Sequence, residues 1–252
     1  MCKFANIINS KCMKNNQQLK NAALDALHGK WGKAVLVTVL FTLVMSAISG
    51  YSTYEMMKFM DFMKENSAQN IFALIQNPEF QALAQHNNGA SNLTTLLNIL
   101  IIMPLMVGYA NAMRRLLVFN DGEILANTVH LAFHNYWHKV WGILWMNILI
   151  VLWSMLLIIP GIIKALSYSM TPYILEENSE LTAAEAIHRS RLMMHGHKFD
   201  LFWLYLSFLG WFIVCCFTLG IGFLWLQPYM QTTHAAFYEE VKEEYALNGG
   251  LD

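Results

Sequence analysis

The chain has 252 residues, of which 56% are hydrophobic and 13% are charged, and its formal net charge is −1. Soluble domains carry about 25% charged residues, so this chain has about half of the solvating groups that a water-exposed surface needs. The composition therefore predicts an integral membrane protein, and the balanced charge offers no basic patch to bind nucleic acid.

The first 18 residues form a polar tail without the apolar core of roughly 7–15 residues that a signal peptide needs. The stretch beginning at Met13 reads like a natural start, so the first twelve residues are expected to be dispensable or a start-site artefact. Residues 19–245 are predicted to form a single integral membrane domain, followed by a C-terminal tail at 246–252.

Four long apolar windows predict where the chain enters the bilayer, at residues 34–51, 93–113, 140–175 and 199–237. One crossing takes about 20 apolar residues, because a helix rises about 1.5 Å per residue through a hydrocarbon core about 30 Å thick. The first two windows each fit one crossing. The last two are nearly twice as long, and Pro160-Gly161 and Gly220-Ile221-Gly222 interrupt them, so each is predicted to be a helical hairpin.

The return arm of the third window, residues 162–175, is short and contains Lys164 and Pro172. The ammonium group of Lys164 can snorkel outward from its position near the turn. The sequence leaves open whether this arm spans the bilayer fully or is re-entrant.

The basic residues support six crossings with both termini in the cytoplasm. With that topology the outer side keeps only Lys58, Lys64 and Lys164, and the other 13 of the 16 Lys and Arg residues face the cytoplasm, as the positive-inside rule expects. The cytoplasmic set is Lys3, Lys11, Lys14, Lys20, Lys30, Lys33, Arg114, Arg115, Lys139, Arg189, Arg191, Lys198 and Lys242.

An internal repeat supports the same topology. Amphipathic helices are predicted at residues 19–30, 124–138 and 181–195, and each precedes a membrane hairpin. Residues 52–92 form an extracytoplasmic insertion in the first hairpin. The predicted fold is an all-α polytopic transmembrane helix bundle, with about six crossings in three helical hairpins and with interfacial amphipathic helices.

Two related strings follow the hairpin turns, and each contains Pro-Tyr and then a pair of glutamates. In them, Pro172-Tyr173 precedes Glu176-Glu177, and Pro228-Tyr229 precedes Glu239-Glu240. A proline inside a helix frees a carbonyl group, which membrane bundles tolerate when a neighbour satisfies it. The tyrosine hydroxyl can supply that partner, but plain helix kinking with an aromatic belt is the favoured interpretation.

The string PGIIKALSYSMTPYILEE at residues 160–177 and the earlier LHGKWGKAV at 27–35 resemble a family of bacterial integral membrane proteins of unknown function. The resemblance covers roughly residues 19–240 and extends distantly to the membrane domain of some glycerophosphodiester phosphodiesterases. It implies a multi-pass helical protein of the inner, or cytoplasmic, membrane. It transfers no catalytic residue.

Two groups of side chains invite a metal interpretation. His130, His134 and His138 are spaced by four on one helix face, and His188, His195 and His197 lie on the same predicted side. Imidazoles at such spacing can bind zinc or iron. Met56, Met57, Met60 and Met63 form a stripe that can bind Cu(I). Interfacial histidines beside Trp137, and a helix face lying on the membrane for the methionines, are the favoured interpretations.

The remaining polar candidates are given structural interpretations. Glu176, Glu177, Glu185, Glu239 and Glu240 are expected to be solvated helix ends, and Asp200 a helix-start residue. The amides of Asn98 and Asn147 within crossings, and of Gln227 before the second Pro-Tyr, are expected to bond to neighbouring helices. Cys2 and Cys12 in the tail, and Cys215 and Cys216 within an apolar window, show neither a disulfide framework nor a metal spacing.

These observations favour a non-enzymatic membrane protein that acts as a scaffold, a partner-binding subunit or a lipid-organising element. Membrane lipids are its expected partners, with other membrane proteins as further candidates, and no catalytic residue, metal or cofactor is predicted. The three amphipathic helices are the expected contact surfaces. A transporter or exporter of an apolar or amphipathic solute is the alternative, and a His-dependent membrane metalloenzyme is the third hypothesis.

Overall fold

A computed structural model describes residues 14–67 and 70–249, so the part of the predicted tail with Cys2, Cys12 and Met13 lies outside the described residues, while the first helix already begins within the tail at Asn16. Within these ranges all regular structure is helical, which confirms the predicted all-α class. The helices are α1 (Asn16–Leu27), α2 (Trp31–Glu65), α3 (Ile71–Gln76), α4 (Pro78–Leu97), α5 (Met103–Phe119), α6 (Ile124–Phe133), α7 (Tyr136–Leu156), α8 (Ile158–Tyr168), α9 (Thr171–Glu177), α10 (Ala183–Met193), α11 (Lys198–Leu206), α12 (Leu209–Phe217) and α13 (Phe223–Leu247). One π-helical turn, Asn98–Ile102, joins α4 to α5.

Four helical segments of the described chain are long and apolar enough to cross a membrane. They are Trp31–Glu65, Pro78–Phe119, Tyr136–Leu156 and Lys198–Phe217. Each predicted apolar window contributes one of them. The chain therefore has the helices of a membrane protein, and the number of crossings stays a prediction.

The described part of the chain packs as two compact units, one formed by residues 14–38 and 104–249, the other by residues 39–67 and 70–103. The first is called the main unit and the second the inserted unit. The predicted single membrane domain over residues 19–245 stays a prediction.

The core of the main unit forms where α1, the start of α2, α5 and α6 meet. Its members are apolar and buried: Leu27, Ala34, Val37, Tyr109, Ala112, Met113, Leu116, Ile124 and Leu131. Small residues let the helices approach closely. A Cβ at Gly108 would lie 2.2 Å from the carbonyl oxygen of Thr128, so α5 touches α6 at a point where only glycine fits.

The hairpin α7–α8 turns at Leu157, three residues before the predicted break at Pro160-Gly161. Leu157 has extended backbone, with φ −158° and ψ 144°. Pro160 instead lies in the first turn of α8, where a helix tolerates proline because its missing N–H has no partner to lose. The return arm at residues 162–175 is divided between α8 and α9, so no single helix completes it.

The hairpin formed by α11, α12 and α13 turns at the predicted glycines, since α12 ends at Phe217 and α13 begins at Phe223. A Cβ at Gly222 would lie 2.7 Å from Cys215 Sγ, so the arms meet closely there. The outgoing arm is interrupted between α11 and α12, which the sequence reading missed. At this interruption the Lys20 ammonium group donates a hydrogen bond to the Ser207 carbonyl oxygen at 3.0 Å.

The three predicted amphipathic segments are confirmed as helices, the first shifted three residues toward the N-terminus and the other two shorter than predicted. They correspond to α1, α6 and α10. Capping boxes begin two of them, at Asn15 with Gln18 and at Thr182 with Glu185.

The insertion predicted at residues 52–92 is largely helical, because α2 continues to Glu65 and α4 begins at Pro78. Asn77 caps α4 by accepting a hydrogen bond from the Glu79 amide at 2.8 Å. The extracytoplasmic location of residues 52–92 stays a prediction.

Candidate functional site

An ionic cluster centred on Arg114 joins α5, α9 and α13. The Arg114 guanidinium donates through Nη2 to Glu177 and through Nε to Glu239. These partners lie 63 and 125 positions away in the sequence. The Arg114 side chain is 14% exposed, so its charge is largely removed from water and depends on these two carboxylates.

The Glu177 carboxylate has two further donors, both on α13. The Lys242 ammonium donates to Oε1, and the Tyr238 hydroxyl donates to Oε2. Burial by itself raises the pKa of Glu177, but the hydrogen bonds from Lys242 and Tyr238 and the charge of Arg114 outweigh it, so the pKa is lowered. Burial and the Glu177 charge raise the pKa of the Tyr238 hydroxyl, which therefore stays protonated as a donor.

A second buried ion pair lies on the adjoining helices. The Lys139 ammonium contacts the Glu176 carboxylate and also donates to the carbonyl oxygen of Leu131. The Lys139 side chain is 1% exposed. The pair connects α7 with α9, while the bond to Leu131 reaches back to α6.

Aromatic rings cover one side of the cluster. Tyr173 stacks on Tyr238 with ring centres 4.6 Å apart, and its hydroxyl lies 3.1 Å from His234 Nδ1. The Arg114 guanidinium lies 5.2 Å from the centre of the Tyr238 ring. The Tyr173 hydroxyl is thus engaged by His234.

A cleft of about 360 Å³ opens beside the cluster, lined by Ile174, Glu177, Asn178, Arg189, Met193, Tyr238 and Lys242. Next to it, Glu240 is buried and pairs with Lys14, whose ammonium group lies 2.9 Å from Oε2. That contact ties the start of α1 to α13. Three of the residues that line the cleft, Glu177, Tyr238 and Lys242, belong to the ionic cluster.

The interpretation of the paired glutamates as solvated helix ends is wrong for Glu176, Glu177 and Glu240, which are engaged in these ion pairs at side-chain exposures of 13%, 18% and 4%. Sequence spacing within one helix does not reveal partners on other helices. The signal available was the presence of Arg114 and Lys139 at the ends of apolar windows, where an unpaired charge is costly. Glu185 is exposed and closes the capping box of α10.

Two of the three amides predicted to bond between helices, Asn98 and Asn147, bond within their own helices instead. Asn98 donates to Thr94 and Asn147 to Ile143, each at 2.9 Å. One amide that does reach another helix is Asn111, which the sequence did not single out, and it donates to the Pro172 carbonyl at 3.1 Å. A carbonyl four residues back is available to any helical amide, so location in an apolar window does not identify an interhelical bond.

The prediction that three histidines share one helix face is wrong, because α6 ends at Phe133 and α7 begins at Tyr136. His130 therefore lies on α6, His134 in the break after it and His138 on α7. The rings of His130 and His134 stack with centres 5.7 Å apart, and His197 lies between Asp200 and Glu244. Within residues 14–67 and 70–249, no group of three or more His, Cys, Asp or Glu is arranged to hold a metal ion. The metal interpretation stays a hypothesis for elemental analysis.

The other polar candidates occupy helix starts and turns. Asp200 lies in the first turn of α11, as predicted. The Lys164 ammonium lies 4.5 Å from the centre of the Trp153 ring, across the α7–α8 hairpin. Cys215 is buried and Cys216 exposed, both as free thiols.

The methionine stripe lies on α2, where Met56, Met57 and Met60 are exposed. The stripe is therefore on a helix, as predicted. Its position against a membrane surface stays a prediction.

Comparisons with known proteins give one finding. The model of a family described as "Protein of unknown function (DUF975)" matches residues 13–245. Searches of curated proteins and of solved structures gave no match to this chain. The expected likeness to glycerophosphodiester phosphodiesterases is not shown, while the expected membership of an unknown-function family is confirmed: the chain belongs to the DUF975 family.

Proposed function

We propose that the protein is a non-enzymatic integral membrane scaffold that binds partners or organises lipid on the side where α1, α6 and α10 lie. The observation that carries this proposal is the mutual neutralisation of Arg114, Lys242, Glu177 and Glu239. Such an arrangement fixes helices against one another. It supports a structural role for the charges.

The electrostatics of Glu177 argue against acid–base catalysis at this cluster. A general acid or base works best when its pKa lies near the operating pH. The pKa of Glu177 is instead lowered from the ordinary carboxyl range, so the group stays ionised and paired near neutral pH. A carboxylate held in this way stabilises the packing of α5, α9 and α13.

Elemental and mass analysis of the protein, purified in mild detergent, tests this proposal. We expect metal-free protein that retains lipid. Stoichiometric iron, zinc or copper that disappears when His130, His134 and His138 are replaced together would favour the metalloenzyme hypothesis. Replacement of His188, which is exposed on α10, provides the control for unspecific binding to surface histidines.

We propose six crossings in the inner membrane with both termini cytoplasmic. The asymmetry of the basic residues and the antiparallel return of both hairpins support this topology. Exposed apolar side chains at the α7–α8 turn, including Met155 at 81% and Ile158 at 77%, favour lipid as their surroundings.

Cysteine labelling in intact cells tests the topology. All four native cysteines are first replaced by serine, and single cysteines are then introduced at Ser67 and at Glu180, both of which are exposed. A membrane-impermeant maleimide should label S67C in intact cells, and E180C only after permeabilisation. Labelling of S67C only after permeabilisation would contradict the proposed sides.

A further inference from the structure

An apolar groove of about 410 Å³ lies between α8 and α11, separate from the ionic cluster. Its walls are Ile159, Ile162, Ile163, Leu166, Phe199 and Phe202, and the turn between α10 and α11 closes one end with His195, Gly196 and Lys198. The volume lies in the range of small-molecule sites. The groove is therefore apolar along its length and basic at one end.

The basic end of the groove has unused donors. Among the described residues, the Lys198 ammonium and the His195 ring form no ion pair or side-chain hydrogen bond. Asp200, two residues from Lys198, contacts His197 Nδ1 at 3.4 Å. Lys198 is thus positioned to meet an anionic group at the mouth of an apolar channel.

The groove is also continuous with side chains that favour lipid. Two of its lining side chains are largely exposed, Ile159 at 72% and Phe199 at 76%, so the groove is open to its surroundings there. Ile159 belongs to the same exposed apolar turn as Ile158 and Met155. A water-soluble anion would leave this apolar length uncovered, whereas an acyl chain would cover it.

We propose that this groove binds an anionic glycerophospholipid, with an acyl chain between α8 and α11 and the phosphate at Lys198 and His195. The proposal rests on the membrane location in the proposed function and deepens it by naming a lipid class and a site. The apolar lining of the groove matches the acyl chain of such a lipid, and the Lys198 ammonium group matches its phosphate.

Native mass spectrometry of the detergent-purified protein tests the site. The probes are phosphatidylglycerol, phosphatidylcholine with the same acyl chains, and inorganic phosphate. The variants are K198Q, which removes the cation, and I163W, which fills the groove at a half-exposed side chain without removing charge. R191Q is the matched control, because Arg191 is an exposed basic residue of α10 outside the groove lining.

We expect the wild type and R191Q to retain phosphatidylglycerol in preference to phosphatidylcholine. K198Q should lower the apparent affinity for phosphatidylglycerol about fivefold, since one Lys near an anionic lipid contributes on the order of 1 kcal/mol. I163W should weaken both lipids. Equal retention of phosphatidylglycerol by the wild type, K198Q and I163W would overturn the site, as would equal affinity for the two lipids in the wild type.

Binding of inorganic phosphate as tight as that of phosphatidylglycerol would also overturn the proposal, because it would show that the acyl chain contributes nothing. Alkaline carbonate extraction of membranes, run in parallel, tests the underlying membrane location. Release of the protein by carbonate would contradict the proposed function itself. Retention in the membrane with unselective lipid binding would contradict the groove alone.

Discussion

The two units of the molecule differ in their ion pairs: Lys58 of the inserted unit pairs with Glu55 on the same helix, whereas ion pairs of the main unit connect different helices. In the inserted unit, Ser49 donates to Met45, Thr53 to Ser49 and Thr95 to Ser91, all four residues back in the same helix. In the main unit, Arg114 and Lys139 reach partners on other helices. Bonds within one helix satisfy its hydroxyl groups in apolar surroundings. Ion pairs between helices instead determine which helices pack together and in what register.

The largest effect is expected from removing the centre of the main unit's cluster. R114M leaves Glu177 and Glu239 without their shared cation, and removing one partner of a buried ion pair costs about 3–5 kcal/mol. Unfolding in mixed micelles, followed by tryptophan fluorescence, measures the loss. The control R191M changes an exposed arginine and should stay within about 0.5 kcal/mol. Equal effects of the two substitutions would contradict the structural role of Arg114.

A glycine from each unit gives the next comparison. G108A places a Cβ 2.2 Å from the Thr128 carbonyl oxygen, a clash that costs about 1–3 kcal/mol because backbone must shift. In α4, the Cβ that G89A adds has no neighbouring atom within 4 Å. G89A should therefore raise the free energy of unfolding by about 0.5–1 kcal/mol, because alanine favours the helix. The same unfolding assay measures both. A neutral G108A would show that α5 and α6 are not packed this closely.

The pH dependence of the main unit follows from Glu177. Its pKa is lowered in the folded protein, so its contribution to stability is present above the ordinary carboxyl pKa and is lost as the pH falls through the folded value. The free energy of unfolding of the wild type should therefore fall more steeply as the pH decreases below about pH 4. E177Q removes this titration, and its stability should vary less in that range. Parallel acid profiles for the two proteins would contradict the lowered pKa.

The smallest effect is expected in the inserted unit. T95A removes a hydroxyl that donates to its own helix at 2.8 Å on an exposed face. Such surface substitutions change stability by less than about 0.5 kcal/mol. A loss as large as that of R114M would show that the inserted unit also depends on its polar side chains for packing.

The features that the sequence predicted are those encoded by neighbouring residues. The amphipathic segments became α1, α6 and α10, and the glycines at 220–222 form the last hairpin turn. Local signals were insufficient at Leu157, where the break precedes Pro160 because proline is accommodated in the first turn of α8. Arg114 and Lys139 at the ends of apolar windows signalled that charge is buried, but their partners were not predictable, because a glutamate pair at 176–177 looks the same whether water or a distant cation solvates it.

The central claim, that the Arg114 cluster holds α5 and α9 together, is tested most directly by a double-mutant cycle of R114M and E177Q. The free energy of unfolding is measured for the wild type, both single variants and the double variant, so that the coupling between the two side chains is isolated. A direct buried ion pair predicts a coupling of about 1–3 kcal/mol, with the double variant less destabilised than the sum of the single variants. Additive losses, with a coupling near zero, would contradict the account.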